Sequence, residues 1–273
     1  MKLIGILKDG QTWIARVEGD ACVPLAPAEA FFRDPEANAR ASGDSALPLA
    51  SVEQRPPAWP GARVICIGLN YRAHAAEGGH ALPEYPTTFG RWTRSLVEDG
   101  ADIPALDVKL DWEAELGVVI GREMAGVDDA AGLAGVFGYA PFNDVSARTY
   151  QRHTPQWTTG KNMDRSGVLG AIVTADEVGD PADGLSVECR LNGETMQSSN
   201  TADLIFPIGR VISYLSEIMT LFPGDIIASG TPSGVGHART PPLFMKPGDV
   251  VEVEIGKVGK VTNRIVAADQ RRP

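Results

Sequence analysis

The stretch DWEAELGVVIG, Asp111 to Gly121, decides how the rest of the chain is read. Its second half holds the strand formers Val118, Val119 and Ile120. On a strand, side chains at i and i+2 point to one face, so Glu113 and Glu115 converge; on a helix the same spacing holds them about 200° apart. The strand reading therefore determines whether the two carboxylates can share a ligand. Like charges held side by side repel by about 1 kcal/mol in water and several-fold more at lower dielectric, so a cation is the natural compensation. The alternation of Asp111, Glu113 and Glu115 with Trp112, Ala114 and Leu116 also describes a half-buried antiparallel strand with a solvated acidic face. Spacing alone leaves both readings open.

Around this stretch, 273 residues suffice for one large domain, or a medium one with a small companion. No apolar run approaches the roughly 18 residues of a membrane helix. The start, MKLIGILKDG, is cut short by Lys8, Asp9 and Gly10 before it could form a secretory signal, so a cytoplasmic protein is expected. Cys22, Cys66 and Cys189 are odd in number and lack CxxC spacing, which argues against a disulfide framework and a thiolate zinc site. A net charge of −10 argues against nucleic acid and anionic membrane as partners. A small anionic substrate remains compatible, because distant exposed charges are screened and a local cation can dominate a pocket.

Residues 1–60 read as a separate small domain: a three-stranded meander with turns at Asp9-Gly10 and Glu18-Gly19-Asp20, then one short helix around Pro27 to Ala41. SVEQRPPAWPG, with Pro56, Pro57, Pro60 and Gly61, is a semi-rigid connector. Residues 61–273 form the second unit. ARVICIGLN predicts a buried strand, and NYRAHAAEGG a short helix stopped by Gly78 and Gly79. Residues 79–95 read as a long loop, a candidate lid. An apolar stripe predicts a helix from about Phe206 to Thr220, and the alternating tail KPGDVVEVEIGKVGKVTNRIV a closing hairpin turning at Gly256 and Gly259.

A third carboxylate, Asp144, follows another strand-like stretch. Three carboxylates without a nearby His or Cys pair make an all-oxygen site suited to Mg2+, Mn2+ or Ca2+. His74 stands three residues before Glu77, so on a helix the two share a face and the carboxylate can orient the imidazole as a general base; a routine exposed His and Glu pair fits the spacing as well. Lys161 invites a phosphate-loop reading, but Pro155 stands where a Walker A motif needs Gly. SGTPSGVG, residues 229–236, lacks the GxGxxG register, and no GxSxG elbow occurs.

Taken together and in order, GLNYRAHAAEGG, DWEAELGVVIG, FNDVSARTYQ, GKNMDRSGVLG, LNGETMQSSNTADLIFPI and PGDIIASGTPSGVG resemble the fumarylacetoacetate hydrolase family over about residues 64–260. The resemblance implies an α+β, mainly β fold: a mixed β-roll catalytic domain behind a small N-terminal domain, usually dimeric. It implies that Glu113, Glu115 and Asp144 bind Mg2+ or Mn2+ and that His74 and Glu77 activate water from a lid. By the same resemblance Arg91, Gln151, Lys161, Gly230 and Thr231 face the substrate or the metal. Two departures stand out: Arg91 replaces a common lysine, and Thr149 an aspartate. Arg keeps the charge but not the geometry of Lys.

The expected activity is metal-dependent hydrolysis of a carbon-carbon bond in a β-dicarbonyl acid such as an acylpyruvate, with Lys161 and Gln151 stabilising the oxyanion. Decarboxylation of an oxaloacetate-like acid, or isomerisation of an unsaturated oxo-diacid, uses the same site without an attacking water. A non-catalytic dicarboxylate-binding protein would need the metal but not the His74 and Glu77 pair.

Overall fold

The structure is a computed structural model and describes residues 1–77 and 81–270. It is strand-rich, 39% strand against 22% helix, in keeping with an α+β, mainly β fold. Among the described residues the larger sheet has thirteen strands. Its centre pairs Ala114–Ile120 with Val136–Asp144, antiparallel, in a register that sets Glu115 opposite Phe142. Ile226–Ala228 joins Ala114–Ile120 antiparallel, and Arg63–Gly68 then joins Ile226–Ala228 parallel. A second sheet of five strands includes the hairpin Val250–Ile255 and Gly259–Val266.

Every residue of both central strands is buried. Leu116, Val118 and Ile120 join the large core shared with the smaller sheet. Val119 points the other way, into a core with Phe137, Phe142 and Ile172. A strand covered on both faces has no solvated side, so the solvated-face reading of Glu113 and Glu115 does not hold.

The N-terminal segment forms the expected meander. Asp9 and Gly10 both adopt positive φ, 51° and 74°, as a two-residue turn between strands of right-handed twist requires. Its first strand, Lys2–Lys8, also pairs with Ile172–Thr174, so the meander continues the large sheet. The single helix expected around Pro27 to Ala41 is two short helices, Ala28–Phe31 and Pro35–Ala39. Pro35 cannot donate a backbone hydrogen bond inside a helix but suits a first turn, where the Asp34 carboxylate accepts from the Ala37 N–H at 3.1 Å.

The long loop expected at 79–95 is partly wrong. Thr87–Trp92 is an edge strand, antiparallel to Arg63–Gly68 with Val64 opposite Arg91. Its alternation is hidden in sequence by Gly90 and the flanking Pro86. The helix Arg72–Glu77 is present, while its expected stop at Gly78 and Gly79 lies outside the described residues. Ile208–Ser216 is helical, shorter than the apolar stripe suggested. Cys22, Cys66 and Cys189 are free and buried. No helix among the described residues is long and apolar enough to cross a membrane.

Candidate metal and active site

Glu113 lies just before the Ala114–Ile120 strand and Glu115 within it, while Asp144 ends the neighbouring strand Val136–Asp144. The Asp144 N–H donates to the Glu113 carbonyl at 2.9 Å, which ties the strand ends together. One carboxylate oxygen from each of Glu113, Glu115 and Asp144 lies within 4.8 Å of the others, and all three residues are buried. Side chains separated by up to 31 positions in sequence thus meet through strand pairing.

The charges around this triad are unequally shared. Lys161 Nζ donates to Glu113 Oε2 and Asp144 Oδ2, 2.5 Å from each. Arg91 donates to Asp144 Oδ1 at 2.8 Å and to the hydroxyl of Ser166. Arg148 pairs with Glu113 Oε1 at 2.6 Å and with Asp111 Oδ2 at 2.8 Å. Four buried carboxylates therefore meet three buried cations. Glu115 is the remainder: its Oε2 accepts from the Gly230 N–H at 2.9 Å, and among the described residues it has no ion-pair partner.

The carboxyl groups respond accordingly. Burial raises Glu115 well above its usual range, and the charges of Asp144 and Glu113 raise it further. Burial would also raise Glu113, but Lys161 and Arg148 outweigh it and hold that carboxyl at about 2. Burial works against the charge on Lys161, yet Asp144 and Glu113 keep it protonated with a raised pKa. An all-oxygen donor set with one uncompensated carboxylate fits a hard divalent cation. Glu113, Glu115 and Asp144 are the residues that would hold it.

The triad opens on a cavity of about 270 Å3, which Glu113 and Glu115 line together with Lys161, Gln151, Thr231 and His237. His74 and Glu77 line it too, with His74 Nδ1 3.1 Å from Glu77 Oε2. Glu77 Oε1 accepts from the Gly234 N–H at 3.0 Å, which anchors the pair to the loop after Ile226–Ala228. Trp157 and Phe89 supply an apolar wall, with ring centroids 5.4 Å apart. The Trp157 ring lies so close over Gly68 that a Cβ there would come within 2.4 Å of it.

Several expected roles need correction. Arg91 does not face the substrate cavity; it is 2% exposed and spends its guanidinium on Asp144, two hydroxyls and the Val145 carbonyl. Gly230 serves Glu115 through its N–H. The Thr231 hydroxyl donates to the Ala114 carbonyl and accepts from Gln197 Nε2, so its one hydrogen is already committed. Lys161 reaches the cavity, but two of its N–H groups serve carboxylates. Asp111, which matches no ligand position in the family's pattern and which the alternation therefore leaves on a solvated face, is instead fully buried and accepts from Arg148 and the N–H groups of Gly236 and His237.

Arg148 and His237 were not singled out in sequence, although both line the cavity. The signal for Arg148 is a cation four residues after Asp144 and directly after Ser146 and Ala147, within the quoted motif FNDVSARTYQ. His237 carries no local signal; it meets Asp111 across 126 positions.

The model of the fumarylacetoacetate (FAA) hydrolase C-terminal domain matches residues 63–266. The chain belongs to the fumarylacetoacetate hydrolase family. A Burkholderia cenocepacia relative, whose name assigns it to the hydrolases only provisionally, is 45% identical over 231 residues, covering 82% of each chain. The solved 5-carboxymethyl-2-hydroxymuconate delta-isomerase of Mycobacterium smegmatis is 32% identical, covers 98% of this chain and 100% of its own, and superposes with a TM-score of 0.80. Fumarylpyruvate hydrolase of Pseudomonas aeruginosa, solved with Mn2+ and pyruvate, is 29% identical over 79% of this chain and 92% of its own, with a TM-score of 0.69. This member of the family thus combines an enzyme fold of hydrolase and isomerase neighbours with a buried acidic triad suited to a divalent metal.

Proposed function

We propose that the protein is a divalent-metal-dependent hydrolase that cleaves a carbon-carbon bond in a β-dicarbonyl acid of the acylpyruvate or fumarylpyruvate type. The observation that carries this reading is the His74 and Glu77 pair lining the same cavity as the acidic triad. Binding alone, or decarboxylation, does not call for a base held against water. Mg2+ or Mn2+, held by Glu113, Glu115 and Asp144, would supply a Lewis acid that polarises the oxo-acid head of the substrate.

The chain's own groups supply the rest. Glu77 accepts the hydrogen on His74 Nδ1 and leaves Nε2 as the basic nitrogen. That nitrogen takes a proton from water, whose oxygen adds to the carbonyl distal to the acid head. The C–C bond then breaks, the hydroxyl oxygen stays with the acyl product, and the proton passes from His74 to the departing carbon. Lys161 keeps a third N–H for the developing oxyanion after serving Glu113 and Asp144. Gln151 Oε1 accepts from Arg148 at 2.9 Å, so its amide NH2 is the group left to donate. Such donors contribute about 3–4 kcal/mol each to transition-state stabilisation.

His74→Ala tests the division of roles. Cleavage of an acylpyruvate should fall about 100-fold or more while Mg2+ affinity, followed by calorimetry, stays within a few-fold of wild type. Equal loss of both in a folded variant would falsify the assignment. The isomerase neighbour supports a second reading, rearrangement of an unsaturated oxo-diacid at the same site. Turnover of such a diacid with no cleavage of any acylpyruvate would favour it.

A further inference from the structure

We propose that His237, held by Asp111, is a second acid–base residue of the site, which moves a proton at the carbon next to the carbonyl of a bound 2-oxo acid. The proposal rests on the reading of the main cavity as an oxo-acid site, and adds to His74 a group whose work consumes no water. His237 lines that cavity from the short turn Gly236–Ala238. Its Nδ1 lies 3.2 Å from Asp111 Oδ2. A carboxylate only accepts, so Nδ1 carries the hydrogen and Nε2 is the basic nitrogen. Among the described residues Nε2 has no hydrogen-bond partner, and the side chain is 25% exposed, enough for a ligand in the cavity to reach it.

Asp111 does not need the imidazole. Its Oδ1 accepts from the backbone N–H groups of Trp112 at 2.9 Å and Gly236 at 2.7 Å, and its Oδ2 from Arg148 Nε at 2.8 Å and the His237 N–H at 3.0 Å. Four donors, one of them a guanidinium, already fill the roughly four lone-pair sites of a carboxylate. The contact with Nδ1 therefore orients the ring rather than completing Asp111. The seat is tight as well. A Cβ on Gly236 would come within 2.6 Å of Asp111 Oδ1 and 2.0 Å of the Leu243 carbonyl, so the turn that carries His237 is pressed against both.

The arrangement repeats that of His74 and Glu77. In both, a carboxylate takes Nδ1, leaves Nε2 free, and is itself held by backbone N–H groups of one loop: Gly234 serves Glu77, while Gly236 and His237 serve Asp111. The two imidazoles stand at different sides of the space, since His237 also lines an adjoining cavity of about 310 Å3 that His74 does not reach. Arg148 ties His237 to the triad, with Nη1 on Glu113 and Nε on the Asp111 oxygen that meets Nδ1. One guanidinium thus separates the anchor of His237 from the group that would hold the oxo-acid head, which sets Nε2 beside the carbons that follow the head. There Nε2 takes a proton from the carbon next to the carbonyl. The C–H electron pair becomes a carbon-carbon double bond, and the carbonyl oxygen takes up the charge, where the third N–H of Lys161 meets it. Returning a proton to the same carbon restores the acid with its hydrogen exchanged; returning it to a different carbon of an unsaturated acid completes an isomerisation.

Proton NMR in D2O on the full chain loaded with Mg2+ reads the step directly, with 2-oxobutyrate as the probe, because it offers no carbon-carbon bond for the hydrolase to cleave. Wild type should exchange the hydrogens beside the carbonyl faster than Mg2+ alone does. His237→Ala should lower that rate about 100-fold or more, while calorimetry finds 2-oxobutyrate affinity within a few-fold of wild type. Added imidazole should restore exchange, and among substituted imidazoles the restored rate should rise with their pKa, a dependence that mere filling of the space does not produce. His237→Gln, which keeps a donor for Asp111 but has no basic nitrogen, should lose exchange equally and carries the test if His237→Ala does not fold. Binding without exchange in wild type, or exchange that persists in either variant, overturns the proposal and leaves the oxo-acid reading standing. If 2-oxobutyrate does not bind wild type, the oxo-acid reading falls and the proposal falls with it. Exchange that depends on His237 in a protein that cleaves no acylpyruvate upholds the proposal and removes only the hydrolase assignment.

Discussion

Lys161 Nζ sits 2.5 Å from both Glu113 Oε2 and Asp144 Oδ2, so one ammonium supplies positive charge to two of the three clustered carboxylates. Replacing it by the similarly sized Met leaves two buried carboxylates short of a partner. Lys161→Met should cost about 3–5 kcal/mol in chelator-treated protein, as the loss of one member of a buried ion pair does. Added Mg2+ should then raise Tm further than in wild type, because the cation replaces the missing charge. Equal Mg2+ shifts in the two proteins would show that Lys161 and the metal do not share a role. Asp111 makes a related case. Burial opposes its charge, but Arg148 and His237 hold its carboxyl at about 2, below the ordinary 3.8. A depressed carboxyl contributes stability above its unfolded pKa and loses it as pH falls through the folded value. That contribution, about 2 kcal/mol, is therefore present at pH above about 4 and disappears towards about 2. Denaturant unfolding of wild type and Asp111→Asn should show a stability difference that shrinks across this window; a difference constant in pH would mean that packing, not charge, is lost.

At the scale of elements, the Ala114–Ile120 strand and the loop after Ile226–Ala228 form the site between them. Gly230 joins the two: its N–H reaches Glu115 from a backbone with φ of 99°. A Cβ there would come within 2.8 Å of Asn70 Cβ and 2.9 Å of the Ile67 carbonyl. Gly230→Ala should therefore cost about 1–3 kcal/mol and weaken Mg2+ binding by moving the donor off Glu115. Mg2+ titration at unchanged far-UV dichroism checks this; full affinity in the variant would remove Gly230 from the site. The i and i+2 spacing made the convergence of Glu113 and Glu115 legible in sequence, since strand geometry alone determines it. Asp111 misled for the same reason. The chain leaves the strand at Trp112 and Glu113, and the groups that bury Asp111 come from Arg148 and His237, far along the sequence. Arg91 was legible as a cation where the family commonly has lysine, but only the strand opposite Val64 and its bond to Asp144 show that it supports that carboxylate from behind.

Over the whole molecule, the Pro-rich connector at residues 56–61 marked a composition boundary, whereas cooperativity depends on contacts that composition does not record. Leu3 pairs with Ile172 across the sheet, and Gly5 with Arg55. Leu3, Ile14, Phe31 and Phe32 share one core with Phe137, Phe142, Leu169 and Ile172. Removing the first 60 residues would uncover that apolar face and leave the Ile172–Thr174 strand with an open edge, a combination that favours aggregation. Such a shared core predicts one cooperative unfolding transition for the full chain, with equal calorimetric and van't Hoff enthalpies. Leu3→Ala, at a position with no exposure, should lower the stability of the whole protein by about 2–5 kcal/mol and shift that single transition without splitting it. Mg2+ binding provides the second readout, because the metal ligands lie on the strand pair that contributes Val119, Phe137 and Phe142 to the core Leu3 shares. If heating instead melted the N-terminal segment first, with Mg2+ affinity intact between two separate transitions, the proline connector would be a true domain boundary and the continuous sheet only a docking contact.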